Sequence, residues 1–296
     1  TYAKIEDLMP AYAPALATEI GRWGETLGRR TVGTVFFGGG TPSYLPPSHV
    51  GELMDTVRRS FEVAPQAEVT LEANPDDVTE HKLAAWLTHG VNRLSIGVQS
   101  FDDRLLETLG RRHSSADAVR AYRAAVEAGF SNTSIDLMYG LPDQTLGDWQ
   151  RTLEQANALA PPHVSMYCLT LEGGTPMERW VGSGRLAEPD PDLAADMYLM
   201  AQEVMEREGY GHYEISNWAR PGFESRHNLV YWRNRPYLGV GPGAHSYLGA
   251  FRFFNIKSPT EYVRRLGSGV VGRHGPSRLT ADSLERMPAV AEVETI

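Results

Sequence analysis

A chain of 296 residues with 42% hydrophobic and 22% charged residues can bury a large core, and no apolar run approaches the roughly 20 residues of a membrane span. Its formal charge of -9 argues against an extended phosphate-binding surface, so nucleic acid is not an expected partner. One cysteine, Cys168, excludes an internal disulfide and, with no signal-like start, fits a reducing, cytoplasmic setting.

The first expected element is a helix from Ile5 to Leu27, with Leu8, Tyr12, Leu16, Ile20 and Trp23 near helical spacing. Short apolar or β-branched runs then recur at Val32 to Phe37, Ala67 to Glu72, Arg93 to Val98, Thr133 to Met138 and His163 to Leu171. Their spacing of roughly 30 residues is that of a β-α unit. The helices between them carry start and stop signals: Pro46-Pro47-Ser48 and Thr79-Glu80 at N-termini, Gly90 and Gly129 just beyond C-termini. Repeated β-α units predict a parallel sheet, closed or open, with ligands gathering where strands end. A helix from Asp192 to Glu208 follows. Beyond it the texture turns aromatic and Gly-rich, so the chain divides into a core over 1–208 and an accessory region over 209–296. The tail from Leu279 reads as helical through Val293-Glu294-Thr295-Ile296.

Chemistry concentrates at the strand ends. Phe36-Phe37-Gly38-Gly39-Gly40-Thr41-Pro42 ends a strand on three glycines, whose backbone can approach a ligand closely. In isolation the run reads first as a tight β-α turn. It lacks the Walker lysine and the spaced glycines of a dinucleotide fingerprint, so a phosphate cradle is not inferred. Glu72, Gln99 and Asp136 close the next three strands, and several polar groups on one rim would each cost stability if buried unpaired. They suit a ligand carrying hydroxyl, amine and carboxylate groups.

Several segments then match a known family in order: Gly38-Gly39-Gly40-Thr41-Pro42, Glu72-Ala73-Asn74-Pro75, Asn92 through Phe101, Leu109-Gly110-Arg111-Arg112-His113, Asp136 through Pro142, Tyr213-Glu214-Ile215-Ser216-Asn217 and Gly241 through Ser246. With these the chain resembles the HemN/HemW group of radical S-adenosylmethionine proteins over nearly its whole length. The resemblance implies an α/β fold, an incomplete TIM-like β/α barrel with a C-terminal accessory region, holding S-adenosylmethionine beside a 4Fe-4S cluster. It implies that Gly39, Gly40 and Thr41 meet the methionine amino end of the cofactor, and that Glu72, Gln99, Arg111 and Asp136 surround the rest. Asp136 would accept from ribose hydroxyls. Arg111, or its neighbour Arg112, could pair the carboxylate through a planar fork. The family's Cys-x-x-x-Cys-x-x-Cys cluster loop does not occur in this sequence, and Cys168 alone cannot replace three thiolates. The loop is expected upstream of Thr1; a naturally cluster-free scaffold is the alternative.

His227-Asn228-Leu229-Val230-Tyr231-Trp232 is the second informative motif. A histidine can supply an axial nitrogen to heme iron and aromatic rings can cover a macrocycle, although such a cluster alone is more often structural. The family resemblance gives the motif a heme role, with His227 on the iron and Tyr231 and Trp232 against the ring. Zinc at His212, Glu214 and His245 is not expected, because no short ligand spacing appears. Phe251, Phe253 and Phe254 read as strand packing. Two functions fit: a heme chaperone passing heme to an acceptor protein, or an oxygen-independent coproporphyrinogen III oxidase. The histidine motif favours the chaperone, since a metal-free porphyrinogen needs no iron ligand.

Overall fold

A computed structural model of the chain describes residues 6–267 and 279–295. Its strands are β1 (Thr31–Phe37), β2 (Glu62–Ala73), β3 (Arg93–Gln99), β4 (Thr133–Tyr139), β5 (His163–Cys168), β6 (Gly211–Glu214) and β7 (Asn217–Ala219), in the order β1-β2-β3-β4-β5-β7-β6, followed by a second sheet ordered β10-β9-β8 from β8 (His245–Leu248), β9 (Phe251–Asn255) and β10 (Val290–Thr295). Strands β2 to β5 pair parallel, whereas β7 pairs antiparallel with both β5 and β6. The larger sheet is open and mostly parallel, the incomplete β/α barrel expected. Strands β6 and β7, from the stretch read as accessory, extend it. No helix among the described residues is long and apolar enough to cross a membrane.

The helices are α1 (Met9–Leu27), α2 (Pro47–Ser60), α3 (Glu80–Thr88), α4 (Asp103–Thr108), α5 (Ser115–Glu127), α6 (Leu146–Leu159), α7 (Pro176–Gly182), α8 (Pro191–Arg207), α9 (Arg226–Trp232), α10 (Pro259–Gly267) and α11 (Ala281–Glu285). Local chemistry starts α2 and α3 where expected, and it starts α5 as well. Pro47 occupies the first turn of α2, the Thr79 side chain accepts from the Lys82 N–H, and Ser114 with Asp117 forms a capping box for α5. Of the expected first helix, Glu6–Leu8 is a 3-10 turn and Ile5 lies outside the described residues. Strand β5 stops at Cys168 rather than Leu171. The tail requires a larger correction: only Ala281–Glu285 is helical, and Val290–Thr295 is a strand. Its residues pair antiparallel with the aromatic strand β9, Val293 opposite Phe253, and this non-local pairing overrides the helical character of the glutamates.

Contacts group the chain into two compact units, Thr1–Phe36 with Leu45–Val69 and Ser225–Ile296, and Phe37–Tyr44 with Thr70–Glu224. In the first, α1 buries Ala15, Ile20 and Trp23, and Trp23 stacks on Phe253 with ring centroids 5.5 Å apart. The buried Glu19 carboxylate receives the Tyr262 hydroxyl, the Asn255 amide at 2.7 Å, the Gly241 N–H at 2.9 Å and the Trp23 indole N–H at 3.3 Å. Burial raises its pKa and those bonds pull it back down. In the second unit β3 is buried from Arg93 to Val98, as a parallel strand covered on both faces should be. Trp86 of α3 and Trp149 of α6 are fully buried.

Candidate functional site

All seven residues expected at the strand-end pocket fall in the second unit. The polypeptide leaves β1 through the glycine run, where Gly39 has φ +82°, a conformation glycine adopts without strain. A Cβ at Gly39 or Gly40 would meet nothing within 4 Å, so the backbone there faces open space. The Gly39 N–H donates to Glu72 Oε2 at 3.1 Å, tying the loop to the end of β2. Gln99 ends β3 with φ +66°, an unusual state for a non-glycine residue, and the β3–β4 register slips between Ile96 and Gln99. Its side chain crosses over Gly97: a Cβ there would lie 2.7 Å from Gln99 Nε2 and 3.5 Å from Arg111 Nη2. Arg111 donates to Asn74 Oδ1 at 2.6 Å and to the Gly97 carbonyl at 3.2 Å, while Arg112 turns away to Asp76 at 3.1 Å. Thr41 accepts the Tyr44 N–H through its carbonyl at 3.0 Å.

The parallel register sets Glu72, Ser95, Ser134 and His163 side by side across β2 to β5. Asp136 lies in the middle of β4 rather than closing it; two residues beyond Ser134 on the same face, it accepts the Ser95 hydroxyl at 2.9 and 2.7 Å and the Ser134 hydroxyl at 3.1 Å. Burial raises the pKa of both carboxyls. Glu72 reaches about 7, first by desolvation and then by the neighbouring Asp136 charge, with the Gly39 N–H pulling it down; Asp136 is raised by desolvation against its hydroxyl donors. Two crowded carboxyls beside an open glycine backbone suit a ligand that brings positive charge and hydroxyl donors. Asn74, Gly97, Ser95 and Ser134 were missed as site residues from sequence. The two serines carried a usable signal, because each lies at an even spacing from a candidate on its own strand.

The histidine motif lies in the first unit, on the short helix α9. Glu68 of β2 anchors its start, accepting the backbone N–H groups of Arg226 at 3.0 Å and His227 at 2.9 Å. The His227 ring is held on both edges, Nδ1 2.8 Å from Thr34 Oγ1 and Nε2 2.9 Å from the Tyr231 hydroxyl. It stacks on Phe36 at 5.0 Å, and Tyr231 meets it edge-on at 5.2 Å. Burial lowers the His227 pKa to about 4, leaving a neutral imidazole at pH 7. Tyr231 and Trp232 are 46% and 52% exposed, so apolar ring surface stands open beside that histidine. Neutral nitrogen and exposed rings fit a heme as cargo; ligation through Nε2 would cost the Tyr231 hydrogen bond.

His212 and His245, the histidines weighed for zinc, are engaged in packing. His212 stacks on Trp218 at 4.4 Å, and His245 packs on Phe254 at 5.3 Å. Among the described residues no group of three or more His, Cys, Asp or Glu could hold a metal ion, and Cys168 is exposed on β5. The described side chains therefore do not fit an iron-sulfur cluster.

Comparison with known proteins gives these arrangements a context. The radical SAM superfamily model matches residues 10–156. The heme chaperone HemW of Synechocystis is 41% identical over 257 residues, covering 87% of this chain and 62% of the relative; that of Mycobacterium tuberculosis H37Rv is 39% identical over 279 residues, covering 94% and 72%. The chain thus spans about two thirds of the length of these relatives. The solved structure of Escherichia coli HemN, a coproporphyrinogen III oxidase and radical SAM enzyme, superposes with a TM-score of 0.81 at 24% identity over 99% of this chain and 66% of that one. At that identity the likeness establishes the fold alone.

Proposed function

Because the chain belongs to the radical SAM superfamily, and within it to the HemW-type proteins, we propose that it is a heme chaperone, binding heme through His227 and passing it to an acceptor protein. The observation that carries this reading is a neutral histidine beside two exposed aromatic residues on a helix whose start is fixed by Glu68. Neutral imidazole can ligate iron without first losing a proton, and Tyr231 and Trp232 supply ring faces with polar tips for a partly exposed macrocycle.

We assign the second unit's residues Gly39, Gly40, Thr41, Glu72, Gln99, Arg111 and Asp136 to S-adenosylmethionine, the cofactor the superfamily implies together with a 4Fe-4S cluster. In this reading the open glycine backbone receives the methionine end, Arg111 pairs its carboxylate, and Asp136 accepts from the ribose. The cofactor would supply radical chemistry only with an electron from a reduced cluster; the residues here bind and orient it. We assign the S-adenosylmethionine core to 1–208 and the heme motif to the accessory region over 209–296, with Thr34, Phe36 and Glu68 of the core holding His227 and the start of its helix. Heme-loaded protein mixed with a heme-free acceptor should transfer heme faster than heme is lost to buffer, and His227→Ala should remove that advantage. Transfer unaffected by His227→Ala, or decarboxylation of coproporphyrinogen III with no heme bound, would replace the chaperone reading by the oxidase one.

A further inference from the structure

Behind Asp136 a chain of hydrogen bonds runs sideways through the second unit, passing through Ser134 to two residues that the proposed pocket does not include. Ser134 Oγ is 3.1 Å from Asp136 Oδ1 and 2.7 Å from His163 Nδ1; His163 Nε2 is 2.8 Å from the Tyr213 hydroxyl. Ser134 and His163 are fully enclosed, at 0% and 1% exposure.

With Asp136 ionised, proton counting gives the chain one direction. A carboxylate only accepts, so the Ser134 proton points to Asp136 and the serine oxygen accepts from His163 Nδ1–H, with the Ser165 hydroxyl a more distant neighbour at 3.4 Å. The other imidazole nitrogen then carries a lone pair and accepts the Tyr213 O–H. Burial and the nearby Arg93 charge hold His163 well below its ordinary pKa, consistent with this neutral ring.

The backbone turns Tyr213 to the task. On β6, His212 opposes Trp218 and Glu214 opposes Asn217, leaving Tyr213 as the extra residue of a bulge. Bulges bend a strand and re-aim a side chain. Here the Tyr213 ring comes to lie 5.7 Å from the His163 ring.

We propose that His163 and Tyr213 are positioning residues for Asp136, their chain through Ser134 holding the carboxylate in the orientation that receives the ribose hydroxyls of S-adenosylmethionine. The inference rests on the assignment of Asp136 to that pocket. Part of the cofactor affinity is then set on β5 and β6 by residues that do not touch the ligand.

Calorimetric titration of S-adenosylmethionine into the holoprotein tests it, with melting temperatures measured alongside. Tyr213→Phe, which removes one hydroxyl, should weaken binding about three- to tenfold. His163→Leu should weaken it at least as much. His163→Asn should recover most of the loss, because its amide can donate to Ser134 as Nδ1–H does, although it fills the space less well than leucine. A merely structural histidine predicts the reverse order. Asp136→Ala separates the two failures. If it leaves affinity unchanged, the pocket assignment falls; if it weakens binding while Tyr213→Phe and His163→Leu do not, the positioning chain is wrong. Should His163→Leu fail to fold, Tyr213→Phe decides alone.

Discussion

Glu72 and Tyr231 show how single groups make the two proposed sites testable. With its pKa raised to about 7, Glu72 is largely neutral at pH 6 and largely anionic at pH 8. A cofactor bearing ammonium and sulfonium charges favours the anion, so affinity should rise about tenfold across that interval if only ionised Glu72 binds. Glu72→Gln should flatten this part of the profile, since the ligand's own groups titrate alike with both proteins. The sign reverses for folding. A carboxyl held above its unfolded value favours the native state below that unfolded value, and the benefit disappears as pH rises through about 7. Tyr231 makes a different prediction, because its hydroxyl occupies the nitrogen that iron would take. Tyr231→Phe keeps the ring and frees that nitrogen, so heme should bind up to about tenfold more tightly. Weaker binding would show that the hydroxyl contributes directly to the heme site. A His227-ligated Soret band should persist from pH 7 to pH 5, because the unliganded imidazole protonates only near pH 4 and iron ligation opposes the proton further.

At the scale of elements, close approach explains two glycines that periodicity leaves unmarked. Gly24 of α1 lies against the end of α2, where an added Cβ would be 2.6 Å from Ser60 Cβ and 3.0 Å from Ser60 backbone atoms. Backbone cannot step aside, so Gly24→Ala should destabilise the fold by about 1–3 kcal/mol in denaturant titration. Gly97 is crowded by the mobile end of a side chain, Gln99 Nε2. Gly97→Ala should therefore displace that amide, lowering cofactor affinity severalfold while moving the melting temperature little. The same distinction between local and non-local causes runs through the secondary structure. Helices α2, α3 and α5 begin at signals written in their own residues, whereas β10 depends on a partner strand that no local window contains. The Tyr213 bulge was hidden for the same reason: its cause is the pairing with β7.

For the whole molecule, the order of strands and the polar residues at their ends were legible because each β-α unit repeats one pattern and places its chemistry at one position within it. Residues Glu72, Gln99, Arg111 and Asp136 could be selected on that basis and through the family motifs. The hydrogen bonds that govern them could not, since Ser95, Ser134 and His163 meet their partners only once the register sets them side by side, and Tyr213 reaches His163 only through the β6 bulge. His227 was readable from its motif, but its engagement by Thr34 was not, because a partner 193 residues away in sequence leaves no local trace. These contacts also define a clean variant. Glu68 anchors α9 through backbone N–H groups, so His227→Ala removes the imidazole and leaves that anchor in place. The most direct test of the chaperone account is an equilibrium heme titration of the wild type and His227→Ala, followed at the Soret band, with circular dichroism to establish equal folding. The account predicts saturable binding to the wild type and a shifted spectrum with roughly tenfold or greater loss of affinity in the variant. Identical spectra and affinities for two equally folded proteins would contradict it.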